Sequence, residues 1–164
     1  IPLIAHEPVL IEGTLRENLD PRGEHSDARL LETLSRCCLE SVFAEREGLE
    51  TKISDAGDNL SIGEKQLVCI ARAILRDSKL VLIDEATANI DVKADALIQQ
   101  TIRDCFREAT VITIAHRLKT IMHSDRILVM SDGQVAEFDT PDKLLTSQNH
   151  FYRLYTQSQN NAIV

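Results

Sequence analysis

The stretch Leu80-Val81-Leu82-Ile83-Asp84-Glu85 decides the fold of this chain. A short run of four apolar residues is typical of a parallel-sheet strand that is covered on both faces. In α/β sheets, ligands bind beyond the carboxyl ends of the strands, where Asp84 and Glu85 would lie. Apolar surroundings hold two adjacent carboxylates only where a cation or a proton transfer uses them. The run favours a Mg²⁺ ligand at Asp84 and a general base at Glu85, with two solvated acids as the alternative.

The segments on both sides of this strand alternate between helix and strand. Ser26 is predicted to be a helix N-cap, and Thr140-Pro141 to open a helix. The remaining apolar patterns predict a buried strand end at 1–5, helices at about 61–76, 92–107 and 119–122, buried strands at 80–83 and 110–115, and strands at 126–130 and 134–138. This order predicts an α/β fold with a mostly parallel sheet and right-handed crossovers. We expect a remnant core strand at 1–5, a helical region at 6–77, and an α/β core at 78–164 that ends in a hairpin, formed where the chain turns at Gly133, and helices.

The composition excludes several classes of protein. The 164 residues carry 18 basic and 26 acidic side chains, a net charge of −8, which disfavours a nucleic-acid-binding surface. The 4 cysteines show no CxxC spacing, so we expect reduced, mostly buried thiols rather than a zinc site or disulfides. No apolar run approaches the ~18 residues of a membrane span.

A second informative stretch, Leu60-Ser61-Ile62-Gly63-Glu64-Lys65-Gln66, lies at a predicted helix start. Ser61 with Glu64 three residues later fits a capping box. The same helix end also offers backbone N–H groups and a positive dipole to a phosphate, and Lys65 adds a nearby cation. The two interpretations compete for the same donors.

These stretches together resemble the ATP-binding cassette (ABC) ATPase domain. LSIGEKQ at 60–66, VLIDEAT at 81–87, ANID at 88–91 and TIAHR at 113–117 occur in that family's order and with its intervals. The Asp20-Pro21 ending and the SIG variant resemble the second nucleotide-binding domain of multidrug-resistance-associated (class C) exporters. The resemblance covers nearly the whole chain, which corresponds to the family domain from its Q-loop onward. It implies a partial P-loop NTPase fold, with a helical subdomain and without the P-loop half.

The resemblance implies roles for four residues at the dimer interface. Ser61 and Gly63 would contact the γ-phosphate of an ATP held by a partner domain, with Glu64 beside them in the same motif. Asp91 would belong to the D-loop. A helix N-cap at Asp91 is equally sound physically, and the two roles are compatible.

The resemblance assigns the reaction chemistry to three further residues and nucleotide binding to a fourth, His6. Asp84 would hold Mg²⁺ through water, and Glu85 would be the general base. His116 would be the switch histidine that reaches the γ-phosphate, with a satisfied strand-end histidine as the alternative. His6 occupies the Q-loop position, where Gln is usual, so its coupling of nucleotide to membrane domain is in doubt.

Two further features depart from the family pattern. The phosphate cradle G-x-x-x-x-G-K-[ST] is not in the sequence, and Gly57, Gly63 and Lys65 have the wrong spacing for it. We therefore expect that the chain does not hold its own ATP in the family manner. Glu64 replaces a usual Gln, which predicts weaker use of the partner's ATP because like charges repel, less so if Lys65 or solvent screens them.

The function implied by the resemblance is ATP hydrolysis coupled to export of organic anions or xenobiotics, with ATP and Mg²⁺ as cofactors. The expected partners are a second nucleotide-binding domain and the transmembrane domains of the same transporter, at the cytoplasmic face of a membrane. Residues 53–59 resemble the exporter segment that touches those domains. Neither nucleic-acid binding nor membrane insertion by this segment is expected. A non-catalytic truncated cassette that only donates its signature, and a soluble ABC ATPase of translation or DNA repair, are the alternatives.

Overall fold

The computed structural model describes residues 1–86, 90–115, 117–146 and 148–161. The chain forms two compact units, Ile1–Ile114 and the part from Ala115 onward. His116 and residues 87–89 lie outside the described residues, and so does the switch role predicted for His116.

The first unit combines a small parallel sheet with a group of helices. Its strands are β1 (Leu3–Ile4), β2 (Gly13–Thr14), β3 (Lys52–Ile53), β4 (Leu80–Asp84) and β5 (Thr110–Ile114), and its helices are α1 (Leu15–Leu19), α2 (Asp27–Arg36), α3 (Glu40–Ala44), α4 (Ile62–Leu75) and α5 (Val92–Cys105). The predicted strand at 80–83 and the helix at 61–76 are present with small shifts at their ends. Ser26 is the N-cap of α2, as predicted, and accepts a hydrogen bond from the backbone N–H of Arg29.

The sheet has the order β1-β4-β5 and is parallel throughout. Leu3 pairs with Leu82 and Leu82 with Ile112, so these three side chains lie in a row on one face. The parallel α/β prediction is confirmed for these strands. The antiparallel ribbon β2–β3 within the helical region is an addition that the sequence patterns did not indicate.

Only one face of this sheet is buried, which corrects the prediction that its strands are covered on both faces. Ile4, Val81 and Ile83 are buried in one core with Ile70 of α4 and Ile98 of α5. Side chains alternate along a strand, and the helices of this unit cover the face that carries those residues.

The opposite face is exposed. Leu3 is 62% accessible, Ile112 51% and Ile114 62%. β5 was predicted to be a buried strand, and its apolar composition suits one, yet among the described residues no apolar layer covers its outward-facing side chains.

A half-buried guanidinium joins three segments of the helical region. Arg72 on α4 donates from Nη1 to the carbonyl of Val9 over 2.6 Å and from Nη2 to Oδ1 of Asn18 over 2.7 Å. Its Nε also donates to the Asn18 carbonyl. The Asn18 amide in turn donates to the carbonyl of Ile11 over 2.8 Å. These bonds fix residues 9–11 and α1 against α4.

The second unit is built on an antiparallel hairpin. It contains α6 (Leu118–Ile121), β6 (Ile127–Ser131), β7 (Gln134–Asp139), α7 (Pro141–Thr146) and α8 (His150–Asn161). β6 pairs with β7 across a turn in which Asp132 and Gly133 both have positive φ, as in a type I′ hairpin. The sequence predicted both strands, with the chain turning at Gly133 into a hairpin, and the two-residue turn explains their antiparallel pairing. Pro141 occupies the first helical position of α7, as predicted.

The thiols are less uniformly buried than predicted. Cys37 is buried, Cys38 is exposed, and Cys69 and Cys105 are intermediate; none forms a disulfide. Burial raises the pKa of the Cys37 and Cys69 thiols, which keeps both protonated at neutral pH. Among the described residues, no helix has the length and apolarity needed to cross a bilayer.

The exposed sheet face predicts that the isolated 164-residue chain associates with itself. Replacing both Ile112 and Ile114 with Thr should lower light scattering several-fold, because exposed apolar area is lost while the β-branched shape is kept. Val111→Thr is the matched control, since Val111 packs against the core. It should lower the free energy of unfolding by about 1 kcal/mol and leave association unchanged. Equal scattering from the double variant and the parent chain would contradict the prediction.

Candidate functional site

The two acids at the end of β4 have different surroundings. Asp84 is exposed, whereas Glu85 is partly buried and has a φ of 48°. A non-glycine residue in this left-handed region is strained unless its surroundings hold it there. The Glu85 N–H donates to the carbonyl of Ile114 over 2.9 Å, which anchors the turn to β5. The sequence placed both carboxylates at the sheet edge and did not indicate this turn.

The backbone after β4 is also tied to the backbone after β1. The Nδ1 atom of His6 lies 3.2 Å from the Glu85 carbonyl oxygen, and because that oxygen only accepts, Nδ1 carries the proton in this bond. The Gln66 amide donates from Nε2 to the carbonyls of Ala5 and Ala86, 2.9 Å in each case. Both links bring the predicted Q-loop position next to the proposed base.

The sequence patterns assign no role to Gln66, although it lies in the LSIGEKQ stretch at 60–66. Its side chain is fully buried, with 0% accessibility. The signal that could have found it is its position: Gln66 shares the apolar face of α4 with Ile70 and Ala73, where a polar residue needs partners.

The N-terminus of α4 forms the capping box that the sequence allowed. The Ser61 Oγ accepts from the Glu64 N–H over 3.2 Å, and the Ser61 N–H donates to Oε2 of Glu64 over 2.7 Å. A phosphate that takes these two donors has to displace both side chains.

The cation beside Glu64 is not the one that the sequence indicated. Arg46 approaches Oε1 of Glu64 with Nη2 at 3.5 Å, whereas the ammonium of Lys65 pairs with Asp58 at 3.6 Å. Arg46 follows α3 in the chain, so only the tertiary fold brings it to α4. The charge of Glu64 is therefore partly compensated, and by a residue that sequence reasoning missed.

The N-terminal turns of α4 and α5 pack directly against each other. A Cβ added at Gly63, which is buried, would lie only 3.2 Å from the Cβ of Ala94. Asp91 is the N-cap of α5, and its Oδ1 accepts from the N–H groups of Lys93 and Ala94 over 3.0 and 3.1 Å. The fold thus brings Ser61, Gly63 and Glu64 to the same end of the helix pair as Asp91.

The described residues fit Mg²⁺ that arrives with a nucleotide. Among them, no group of three or more His, Cys, Asp or Glu side chains is arranged to hold a metal by itself. In nucleotide-dependent enzymes Mg²⁺ is commonly held by one or two carboxylates together with substrate phosphates and water. The exposed Asp84 carboxylate, with Glu85 next to it, suits that arrangement.

Comparison with known proteins gives consistent matches. Residues 2–88 match the family model described as ABC transporter. The mouse ATP-binding cassette sub-family C member 10 is 48% identical over 164 residues, 99% of this chain and 11% of that protein. The Caenorhabditis elegans multidrug resistance protein mrp-7 is 52% identical over 150 residues, 91% of this chain and 10% of that protein.

A solved structure agrees with the sequence matches. A bacterial Atm1-family ABC exporter with ATP bound has a TM-score of 0.85 and 31% identity, over 95% of this chain and 28% of that chain. This chain spans about a tenth of the length of the curated relatives it matches. The predicted likeness to class C nucleotide-binding domains and the partial ABC ATPase fold are confirmed. The chain belongs to the ABC transporter family.

Proposed function

We propose that this chain is the signature-bearing and base-bearing part of an ATP-hydrolysing domain in a class C exporter. The observation that carries this proposal is the link through Gln66 between two groups of residues. One group lies at the N-terminal turns of α4 and α5, and the other is the strand end with Asp84 and Glu85. ATP would be bound between this domain and a second nucleotide-binding domain.

The N-terminal end of α4 binds the ATP that the partner domain holds. Ser61 and Gly63 contact its γ-phosphate, where the α4 dipole and backbone N–H groups favour negative charge. Asp91 lies at the domain interface while it caps α5. Glu64 adds negative charge near the phosphate, and Arg46 reduces the resulting repulsion.

The residues at the end of β4 take part in hydrolysis at this domain's own ATP site. Asp84 holds Mg²⁺, which when bound withdraws negative charge from the phosphate oxygens. Glu85 takes a proton from the attacking water. At the same time the water oxygen bonds to the γ-phosphorus, and the bond between the γ-phosphorus and the β–γ bridging oxygen breaks. His116 donates to the γ-phosphate. His6 occupies the position of the usual Gln and contacts the Glu85 carbonyl.

The phosphate-binding loop of this site is supplied by a segment outside these 164 residues. The sequence holds no G-x-x-x-x-G-K-[ST] motif, and we infer that the 164-residue chain alone does not hydrolyse ATP. Acting alone, it would donate only its signature helix to a partner. The full-length protein would couple hydrolysis to transmembrane domains at the cytoplasmic face of a membrane, moving organic anions or xenobiotics.

The role of Glu85 predicts that Glu85→Gln in the full-length protein stops turnover and retains ATP. Removal of a general base should lower kcat by at least about 100-fold, while the amide keeps the shape of the side chain. Phosphate release and the ATP retained after gel filtration measure the two effects. Glu108→Gln, at an exposed position of the same unit, is the control and should hydrolyse normally. Turnover near the parent rate in Glu85→Gln would remove Glu85 from this role.

The charge of Glu64 predicts that Glu64→Gln raises ATP affinity about three- to tenfold in the full-length protein. Glutamine can still accept the hydrogen bond from Ser61, so the cap and the fold persist. Glu17→Gln is a matched control because Glu17 forms the same capping box with Thr14 at α1. An ATP titration in which Glu64→Gln gives no gain over Glu17→Gln counts against the proposal.

A further inference from the structure

We propose that Gln66 is a positioning residue for Glu85. Its buried amide ties the peptide that follows the proposed base to the segment after β1, and so holds the base in the conformation needed for hydrolysis. This inference rests on the proposed function, since it concerns the same reaction. Gln66 lies one turn after Gly63 on α4, so it also links the strand end to the signature helix.

The orientation of the Gln66 amide is fixed by its acceptors. Nε2 lies 2.9 Å from the carbonyl oxygens of Ala5 and Ala86 and 3.3 Å from that of His6. Carbonyl oxygens only accept hydrogen bonds, so rotating the amide by 180° would put Oε1 against three other oxygens. The side chain can therefore serve these segments in one orientation only.

That orientation leaves a buried acceptor unsatisfied. Oε1 of Gln66 has no hydrogen-bond partner among the described residues. A buried polar atom without a partner lowers stability, and such an exception in a well-packed core calls for an explanation. The contacts of Nε2 explain it. The orientation that leaves Oε1 unsatisfied is the one in which Nε2 links the segments that follow β1 and β4.

The backbone that Gln66 holds is strained. Glu85 has a φ of 48°, and at least three hydrogen bonds of the described residues surround it. Its N–H donates to Ile114, its carbonyl contacts His6, and the next carbonyl accepts from Gln66. Of the three groups that hold it, the Gln66 amide is the side chain that is fully buried. Without it, the peptide after Glu85 can turn toward an ordinary conformation and move the carboxylate, and displacements near 1 Å lower rates by about 100-fold.

The test is Gln66→Met in the full-length protein. Methionine has a similar length and removes both the donors and the unsatisfied oxygen, so the core should remain packed. We expect kcat to fall 10- to 100-fold and the KM for ATP to stay within about twofold. Gln100→Met, at an exposed position on α5, is the control for the substitution itself. Turnover in Gln66→Met equal to that of Gln100→Met would overturn the inference.

A second measurement separates positioning from a merely structural role. When Gln66→Met is added to Glu85→Gln, the amount of ATP retained should equal that of Glu85→Gln alone, because no base remains to be misplaced. A loss of retained ATP would mean that Gln66 supports binding or folding, and would overturn the inference. If Glu85→Gln by itself retains no ATP and hydrolyses normally, the proposed function fails instead.

Discussion

The position of α4 against the parallel sheet is the constraint on which the rest of the structure depends. Its apolar stripe shares one core with the buried face of β1 and β4, its first turn contacts α5, and Arg72 near its end holds α1. Because a single rigid helix makes all these contacts, the strand end and the capped helix end have a defined spatial relation. A shift of α4 would alter every part of the site together.

Local patterns in the sequence were enough to find the elements that carry the site. The continuous run at Leu80–Asp84 and the spaced apolar residues of α4 reflect the different side-chain periods of strand and helix. The caps at Ser26 and Asp91 were predictable for a similar reason, since each bonds to backbone within three residues.

Features that join distant parts of the chain could not be read in this way. The contact of Arg46 with Glu64 depends on where α3 packs, and that of Gln66 with Ala5 and Ala86 depends on which strands meet. The exposure of Ile112 is a further case, because the composition of a strand indicates that it can be buried but not whether a layer covers it. The family resemblance implies roles for individual residues, whereas the hydrogen bonds and ion pairs between them depend on the tertiary structure.

The close contact between Gly63 and Ala94 has a mechanical consequence. Gly63 leaves no room for a side chain beside Ala94, because an added Cβ would come within 3.2 Å of the Ala94 Cβ. Since no void separates the first turn of α4 from that of α5, a displacement of one turn toward the other is transmitted and not absorbed. A methyl group at residue 63 would push the two helix starts apart by a few tenths of an ångström.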